Sequence, residues 1–496
     1  MRQAPAGRDT QAMRNVSEAF EQKCHWIDGA WAPSRDTSMI EVFNPATEGL
    51  IGLVPAGGVD DVEKAVAAAQ RALPGWRGTP VNDRLALLQR LCEVLDSDRD
   101  ALAQIITAEV GAPVSMSGPV HVGLATEILR AFITIGREFR FEEPAGASLL
   151  IHEPVGVVAS ITPWNLPLIL IAQKLGAALV AGCTTVLKPS ELTPFSALRL
   201  AECLAEAGYP AGVFNVVTGD GPTTGEALVA HPGVRKVSFT GSTRAGRRVA
   251  ALASETVKRV GLELGGKSAN LVLPDADLEE AVSTGARQAC FNSGQSCIAW
   301  SRLLVCEDQL KDATDIASAV FAAMRVGDPR NPDTEIGPLV SSMAAERVRG
   351  YIRAGVDEGA SLVVGGTDPP DGLSSGYYVQ PTVLTNVDRN MVVAREEIFG
   401  PVLCILPYRD EQDAIAIANS TTYGLHGAVW SHDEERAMSV ARQLETGMVN
   451  VNGYGFDAMA PFGGYKQSGV GRELGAIGLS EFLEVKAVQN LTRSSS

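Results

Sequence analysis

The run Val155-Gly156-Val157-Val158-Ala159-Ser160-Ile161-Thr162-Pro163-Trp164-Asn165-Leu166-Pro167 decides the fold of this 496-residue chain. Val155 to Ile161 is β-branched and apolar, and reads as a buried strand. Two prolines bracket the turn that follows. Ile169 to Val180 then carries a mostly apolar helical pattern. A second strand, Thr184 to Leu187, ends in Lys188-Pro189-Ser190-Glu191. Strand, helix and strand in so short a span predict a parallel crossover.

The alternation continues outward. Ser196 to Glu206 reads as a helix, closed by Gly208 and Pro210. Val213 to Val217 reads as a strand before the loop Thr218-Gly219-Asp220-Gly221-Pro222. Lys236 to Phe239 is a strand before Thr240-Gly241-Ser242-Thr243, Arg244 to Ala253 a helix, and Arg259 to Leu264 a further strand. This is an α/β chain with a Rossmann-like parallel sheet covered by helices. Such sheets bind ligands at the carboxyl ends of their strands, where Lys188, Glu191, Gly219 and Ser242 fall. Asp60 to Ala72, Asn82 to Asp96 and Asp100 to Glu109 read as helices. A second alternating block starts near Ala269, with strands at Leu303 to Cys306 and around Leu362 and Val402. Its helices run from Leu310 to Met324 and from Gln412 to Ser420. It reads as a second α/β domain. Phe482 to Leu491 reads as a strand outside that core.

A chain this long needs more than one core. Its net charge of -16 argues against nucleic acid as a partner. The short basic stretch Arg244 to Arg248 reads as a solvated helix face. No apolar stretch reaches the length of a membrane span. Residues 1–19 lack an apolar core and read as a disordered extension, not a secretory signal. The eight cysteines have no CxxC spacing, so they read as reduced thiols in a reducing, cytoplasmic setting. No Cys/His cluster suggests a metal.

Cys297 closes the run Phe291-Asn292-Ser293-Gly294-Gln295-Ser296-Cys297, and Glu263 lies in Leu262-Glu263-Leu264-Gly265-Gly266-Lys267. A thiol and a carboxylate whose pKa burial raises are the parts needed to attack a carbonyl and later hydrolyse a thioester. Asn165 can donate an amide N–H to a developing oxyanion. Gly241-Ser242-Thr243 opens a helix whose first N–H groups can hold a pyrophosphate, although the GxGxxG spacing is missing. A lysine at 188 can bond ribose or phosphate. A carboxylate at 191 can accept from a ribose 2′-OH and repels a 2′-phosphate. Glu397, two residues before Phe399, pairs a carboxylate with an aromatic ring. Each motif alone has an ordinary structural reading: a turn, a cap, a buried cysteine, an ion pair. Their joint occurrence in one order does not.

Together these motifs resemble the aldehyde dehydrogenase superfamily, of the NAD(P)-dependent, non-acylating kind. The resemblance runs from Trp26-Ile27-Asp28-Gly29 to Val485-Lys486 and includes Pro461 to Gly469 (P-F-G-G-Y-K-Q-S-G). It implies an NAD-binding domain at 20–135 and 155–265 and a catalytic domain at 266–470. It also implies an oligomerisation arm at 136–154 and 478–496, joining subunits into a dimer or a homotetramer. It makes Cys297 the nucleophile, Asn165 the oxyanion donor, Glu263 the base that activates water, and Lys174 and Glu473 a proton relay. It assigns cofactor contacts to Ile161, Thr162, Pro163, Trp164, Lys188, Ser190 and Glu191. Further contacts fall at Gly221, Gly225, Phe239, Thr240, Gly241, Ser242, Leu264, Gly265, Glu397 and Phe399, with NAD as the cofactor.

The aldehyde pocket falls at Leu166, Leu170, Gln173, Phe291, Ser296, Ile298, Phe456 and Phe462. Leu166 and Gln173 depart from the aromatic residues common in the family, and Trp300 near the nucleophile is unusual. With no Arg or Lys among these positions, the sequence favours an uncharged aromatic or medium-chain aliphatic aldehyde. A CoA-acylating enzyme would need no base at 263. A structural protein reusing the fold would need neither Cys297 nor Glu263.

Overall fold

The computed structural model describes residues 20–21 and 23–489. The expected extension at 1–19 lies outside them, as do residues 490–496. The central sheet has eight strands. Arg259–Glu263, Lys236–Thr240, Val157–Ile161, Thr184–Lys188 and Phe214–Val216 run parallel through its middle. The short strand Gly469–Val470 closes one edge against Arg259–Glu263. That contact brings the chain's distant C-terminal segment to the strand that ends in Glu263.

The helix Pro167–Ala181 is buried along its whole length, so it forms a core element with no solvent face. It begins two residues earlier than its apolar pattern predicts, because Pro167 is preorganised for the first helical turn. Gly182 ends it at φ 89°. The helix predicted over Asp60 to Ala72 continues to Gly78 through Pro74. Its last turn is held by Trp76, which is buried against Tyr209 with ring centroids 5.6 Å apart. The loop expected at Thr218 to Pro222 instead tightens into a wide helical turn, Gly221–Gly225. Asp220 caps it, accepting from the Thr223 N–H at 2.7 Å.

A second sheet of seven strands carries the other half of the site. Ala269–Val272 is flanked by Arg302–Cys306 and His426–Trp430, all parallel. The helix Ser342–Asp357, absent from the sequence reading, packs on this sheet. A separate antiparallel sheet joins Glu142–Ala145, Ser148–Pro154 and Leu483–Gln489. All eight cysteines are free thiols. Among the described residues, no helix is long and apolar enough to cross a membrane.

Candidate active site

The loop that carries Cys297 is built on two residues in left-handed backbone. Asn292 (φ 53°) and Ser293 (φ 56°) turn the chain sharply after the helix Leu278–Ala289. Asn292 Nδ2 donates to the carbonyls of Asn165 (2.9 Å) and Gln295 (3.3 Å). Asn165 Nδ2 donates to the same Gln295 carbonyl at 3.0 Å. Gln295 Oε1 accepts from the Val340 N–H at 3.0 Å. The loop is thus fixed from both sides. An amide NH₂ has two donors, so Asn165 keeps a second N–H for an oxyanion. Beneath the nucleophile runs Gly265-Gly266. A Cβ on Gly266 would stand 2.2 Å from the Cys297 carbonyl oxygen, so only glycine lets the two loops meet there.

Cys297 is half-buried. Burial, then the carboxylates of Glu397 and Glu263, push its pKa up, so the thiol is the resting form and a base must take its proton. Glu263 ends its strand fully buried, and no described residue bonds its Oε2. Burial and the neighbouring carboxylate Glu473 push its pKa well above the ordinary range, against the pull of Lys174 and Arg472. Glu263 is the register partner of Thr240, so their side chains share a face of the sheet. On that face Lys174 Nζ donates to Thr240 Oγ1 at 2.6 Å and pairs closely with Glu473. Ser238 Oγ donates to Glu473 at 3.0 Å. The residues expected to relay protons are therefore one buried cluster beside Glu263.

The cofactor residues gather at the strand ends. Lys188 Nζ donates to the carbonyls of Pro189 (2.7 Å) and Gly219 (2.6 Å) and lies 3.6 Å from Glu191. Thr162 N–H bonds the Lys188 carbonyl at 3.2 Å, while its Oγ1 is buried with no partner among the described residues. Ser242 caps the helix Thr243–Ser254, accepting from the Ala245 N–H at 3.3 Å. From the second sheet Glu397 reaches across, and its Oε1 accepts from the Gly266 N–H at 2.9 Å. Trp164 and Phe399 stand edge to face, 5.4 Å apart. An orphan hydroxyl, a helix start and a carboxylate beside a lysine suit a phosphate and ribose ligand.

Phe456, expected in the pocket wall, lies on a loop and is 38% exposed. Trp300, expected around the nucleophile, is buried and turned away, its Nε1 donating to His426 Nδ1 at 2.9 Å. The sequence reading missed Arg302, which is fully buried. It donates to the carbonyls of Lys267 (2.9 Å), Ile417 (2.9 Å) and Ala418 (2.8 Å), tying the segment after Glu263 to the second sheet. Arg302→Met strands three carbonyls at about 1–3 kcal/mol each. A fall in thermal midpoint of more than roughly 5 °C, with activity falling in step, is the expected outcome of a melting experiment.

A sequence profile of the aldehyde dehydrogenase family matches residues 31–488. The chain belongs to the aldehyde dehydrogenase family. It is 52% identical over 464 residues to a 3-succinoylsemialdehyde-pyridine dehydrogenase of a Pseudomonas species, covering 93% of this chain and 97% of that one. Among solved structures it is similar to an aldehyde dehydrogenase C mutant from Pseudomonas syringae, held with NAD⁺ and octanal. The TM-score there is 0.95 at 44% identity, over 96% of this chain and 98% of the other. An aldehyde dehydrogenase of Mycobacterium tuberculosis complexed with NAD⁺ follows at TM-score 0.93 and 40% identity, over 96% and 99%. In this aldehyde dehydrogenase the loops carrying Gly266 and Cys297 meet between the two sheets, and Asn165 bonds the second of them.

Proposed function

We propose that the chain oxidises an uncharged aromatic or medium-chain aliphatic aldehyde to its carboxylic acid, with NAD as cofactor. The observation that carries this reading is that Asn165 bonds the Gln295 carbonyl two residues before Cys297, while the Glu263 carboxylate is near enough to act on the Cys297 thiol. The Cys297 thiol loses its proton to solvent as its sulfur bonds the aldehyde carbon, and the oxyanion of the thiohemiacetal is met by the free Asn165 N–H. NAD, when bound, supplies a hydride acceptor. Thr162, Lys188, Glu191, Ser242 and Glu397 would hold it. The resulting thioester on Cys297 is hydrolysed by a water whose proton goes to Glu263. The carbon–sulfur bond breaks, the acid leaves and the thiol is restored. Lys174 and Glu473 carry the proton onward. The sum is aldehyde, NAD⁺ and water to carboxylate, NADH and two protons.

Two relatives support the substrate class. One is named for a pyridine-bearing semialdehyde, and one was solved with octanal; both molecules are uncharged aldehydes. The same reading gives residues 20–135 and 155–265 to cofactor binding and 266–470 to catalysis. It makes 136–154 with 478–496 the arm of a dimer or tetramer, in a cytoplasmic enzyme. The test is NADH formation from NAD⁺ with a panel of aldehydes, with and without CoA. Strict dependence on CoA would overturn the hydrolytic reading, and no turnover of any aldehyde would overturn the enzyme.

NAD is expected to be preferred over NADP. Glu191 opposes a 2′-phosphate, and Lys188, 3.6 Å from it, partly offsets that charge, so the preference is expected to be modest. Glu191→Gln should narrow the preference by about tenfold, solvent screening having already weakened the repulsion. Comparing kcat/KM for both cofactors in both proteins checks this. A wild type that prefers NADP contradicts it.

A further inference from the structure

In the central sheet the strand order reverses at Val157–Ile161. Thr184–Lys188 and Phe214–Val216 follow on one side of it, and Lys236–Thr240 and Arg259–Glu263 on the other. A ligand crevice opens at the carboxyl ends of the strands beside such a reversal. Lys188 stands at that end, its carbonyl accepting from the Thr162 N–H at 3.2 Å. Its ammonium is held by the Gly219 carbonyl, 2.6 Å away. Whatever fixes Gly219 therefore bears on the ligand. Gly219 follows Thr218, which is bonded through every polar atom. The Thr218 carbonyl accepts from the Gly57 N–H at 3.0 Å, and its N–H donates to His25 Nδ1 at 3.2 Å. Its hydroxyl, also 3.2 Å from that Nδ1, donates to the Pro55 carbonyl at 2.8 Å.

His25 is fully buried in the strand His25–Ile27, which pairs antiparallel with Phe214–Val216. Its other nitrogen, Nε2, stands 3.4 Å from Asp61 Oδ2. Asp61 is buried too, and accepts from Ser34 Oγ at 2.6 Å and from the Gly58 N–H at 3.3 Å. A carboxylate facing Nε2 draws the ring proton to that nitrogen and leaves Nδ1 as a lone pair for a backbone donor. Burial keeps the ring neutral against the pull of Asp61. Aspartate, imidazole and hydroxyl stand in the order of a nucleophilic triad. The Thr218 hydroxyl is already committed to Pro55, however, and all three residues are buried, so the group is no second catalytic centre. We infer that His25 is a positioning residue for the cofactor: its Nδ1 fixes Thr218, and through the Gly219 carbonyl sets where the Lys188 ammonium meets a ribose or phosphate. This rests on the reading of the cofactor site given above. An apolar side chain at 25 would fill the space but strand the buried Thr218 N–H.

The test replaces His25 by the two amides. In His25→Asn the amide overlies Nδ1 of the ring and keeps an acceptor for the Thr218 N–H. In His25→Gln it overlies Nε2, keeping a partner for Asp61 and losing that acceptor. The quantity read is the dissociation constant of NAD⁺, by calorimetric titration of the full-length wild type and variants, each beside its melting temperature. His25→Gln is expected to bind NAD⁺ about fivefold to tenfold more weakly than His25→Asn, the worth of one ordinary hydrogen bond. KM for NAD⁺ should rise with it, while kcat and the aldehyde KM stay near wild type. A Gln-to-Asn ratio of about threefold or more supports the inference. A smaller ratio overturns it, because filling the space or holding Asp61 then suffices. A kcat that falls as far as the affinity also overturns it, since the effect then reaches the thiol. So does an Asn variant that does not fold, because the bond to Thr218 then fails to account for the ring. If His25→Gln does not fold, His25→Leu is titrated in its place, and failure of both shows a role in folding and overturns the inference. Wild-type enzyme that binds no NAD⁺ overturns the reading of the cofactor site instead.

Discussion

Cys297→Ala is expected to stop aldehyde oxidation, with kcat falling by a factor on the order of 10⁴ or more. Any ester hydrolysis should fall with it, while NAD affinity stays near the wild-type value. Cys290 is a poor substitute: it is buried in the core, and burial pushes its thiol pKa up. The loop itself should persist, since its bonds run through Asn292, Asn165 and Gln295 and spare the thiol. The measurement is NADH formation by purified variant, with NAD binding followed separately by titration. Turnover within tenfold of wild type would move the chemistry to another residue.

Glu263→Gln is expected to fail at a different step. The amide keeps the size of the side chain but cannot take a proton from water. Deacylation should slow by about 10²–10⁴-fold, whereas hydride transfer slows far less. Rapid mixing should then show a burst of NADH, close to one per active subunit, followed by very slow turnover. The pH profile separates the same roles. Burial and Glu473 hold the Glu263 pKa well above the ordinary carboxylate range. The base is active only when deprotonated, so wild-type kcat should rise with pH through that raised pKa. The Gln variant should lose that limb. Equal slowing of burst and steady state would instead make Glu263 the group that deprotonates Cys297.

The sheet that builds the cofactor side was legible because its strands are continuous β-branched runs closed by Gly, Pro and polar turns. Lys188 and Ser242 fall at strand ends as expected, and the strand read as Arg259 to Leu264 ends at Glu263. Chemistry carried by a named residue type was also legible: a thiol after G-Q-S, a carboxylate between Leu262 and Leu264. Arg302 was not, because nothing local distinguishes an arginine that caps three distant carbonyls from one at the surface. The helix through Pro74 was misjudged because local propensity stops there, while the packing of Trp76 lies far away in sequence. Asn292 left a readable trace: Asn followed by Ser and Gly before the nucleophile suits left-handed backbone. Trp300 was placed by proximity to Cys297 in sequence, and only its bond to His426 shows that it faces the core.

The bonds that assemble this site are long-range in the chain. Asn165 and Gln295 are 130 residues apart, and Lys174 and Glu473 are 299 apart. Closing such distances is slow, since chain entropy must be surrendered before the contact rewards it. During refolding, helical signal should therefore return well before the capacity to make NADH. A chain halted in synthesis between Cys297 and Glu473 would hold the thiol and the base without the partner that Lys174 needs. A fragment ending there is expected to form no NADH until Glu473 docks on Lys174.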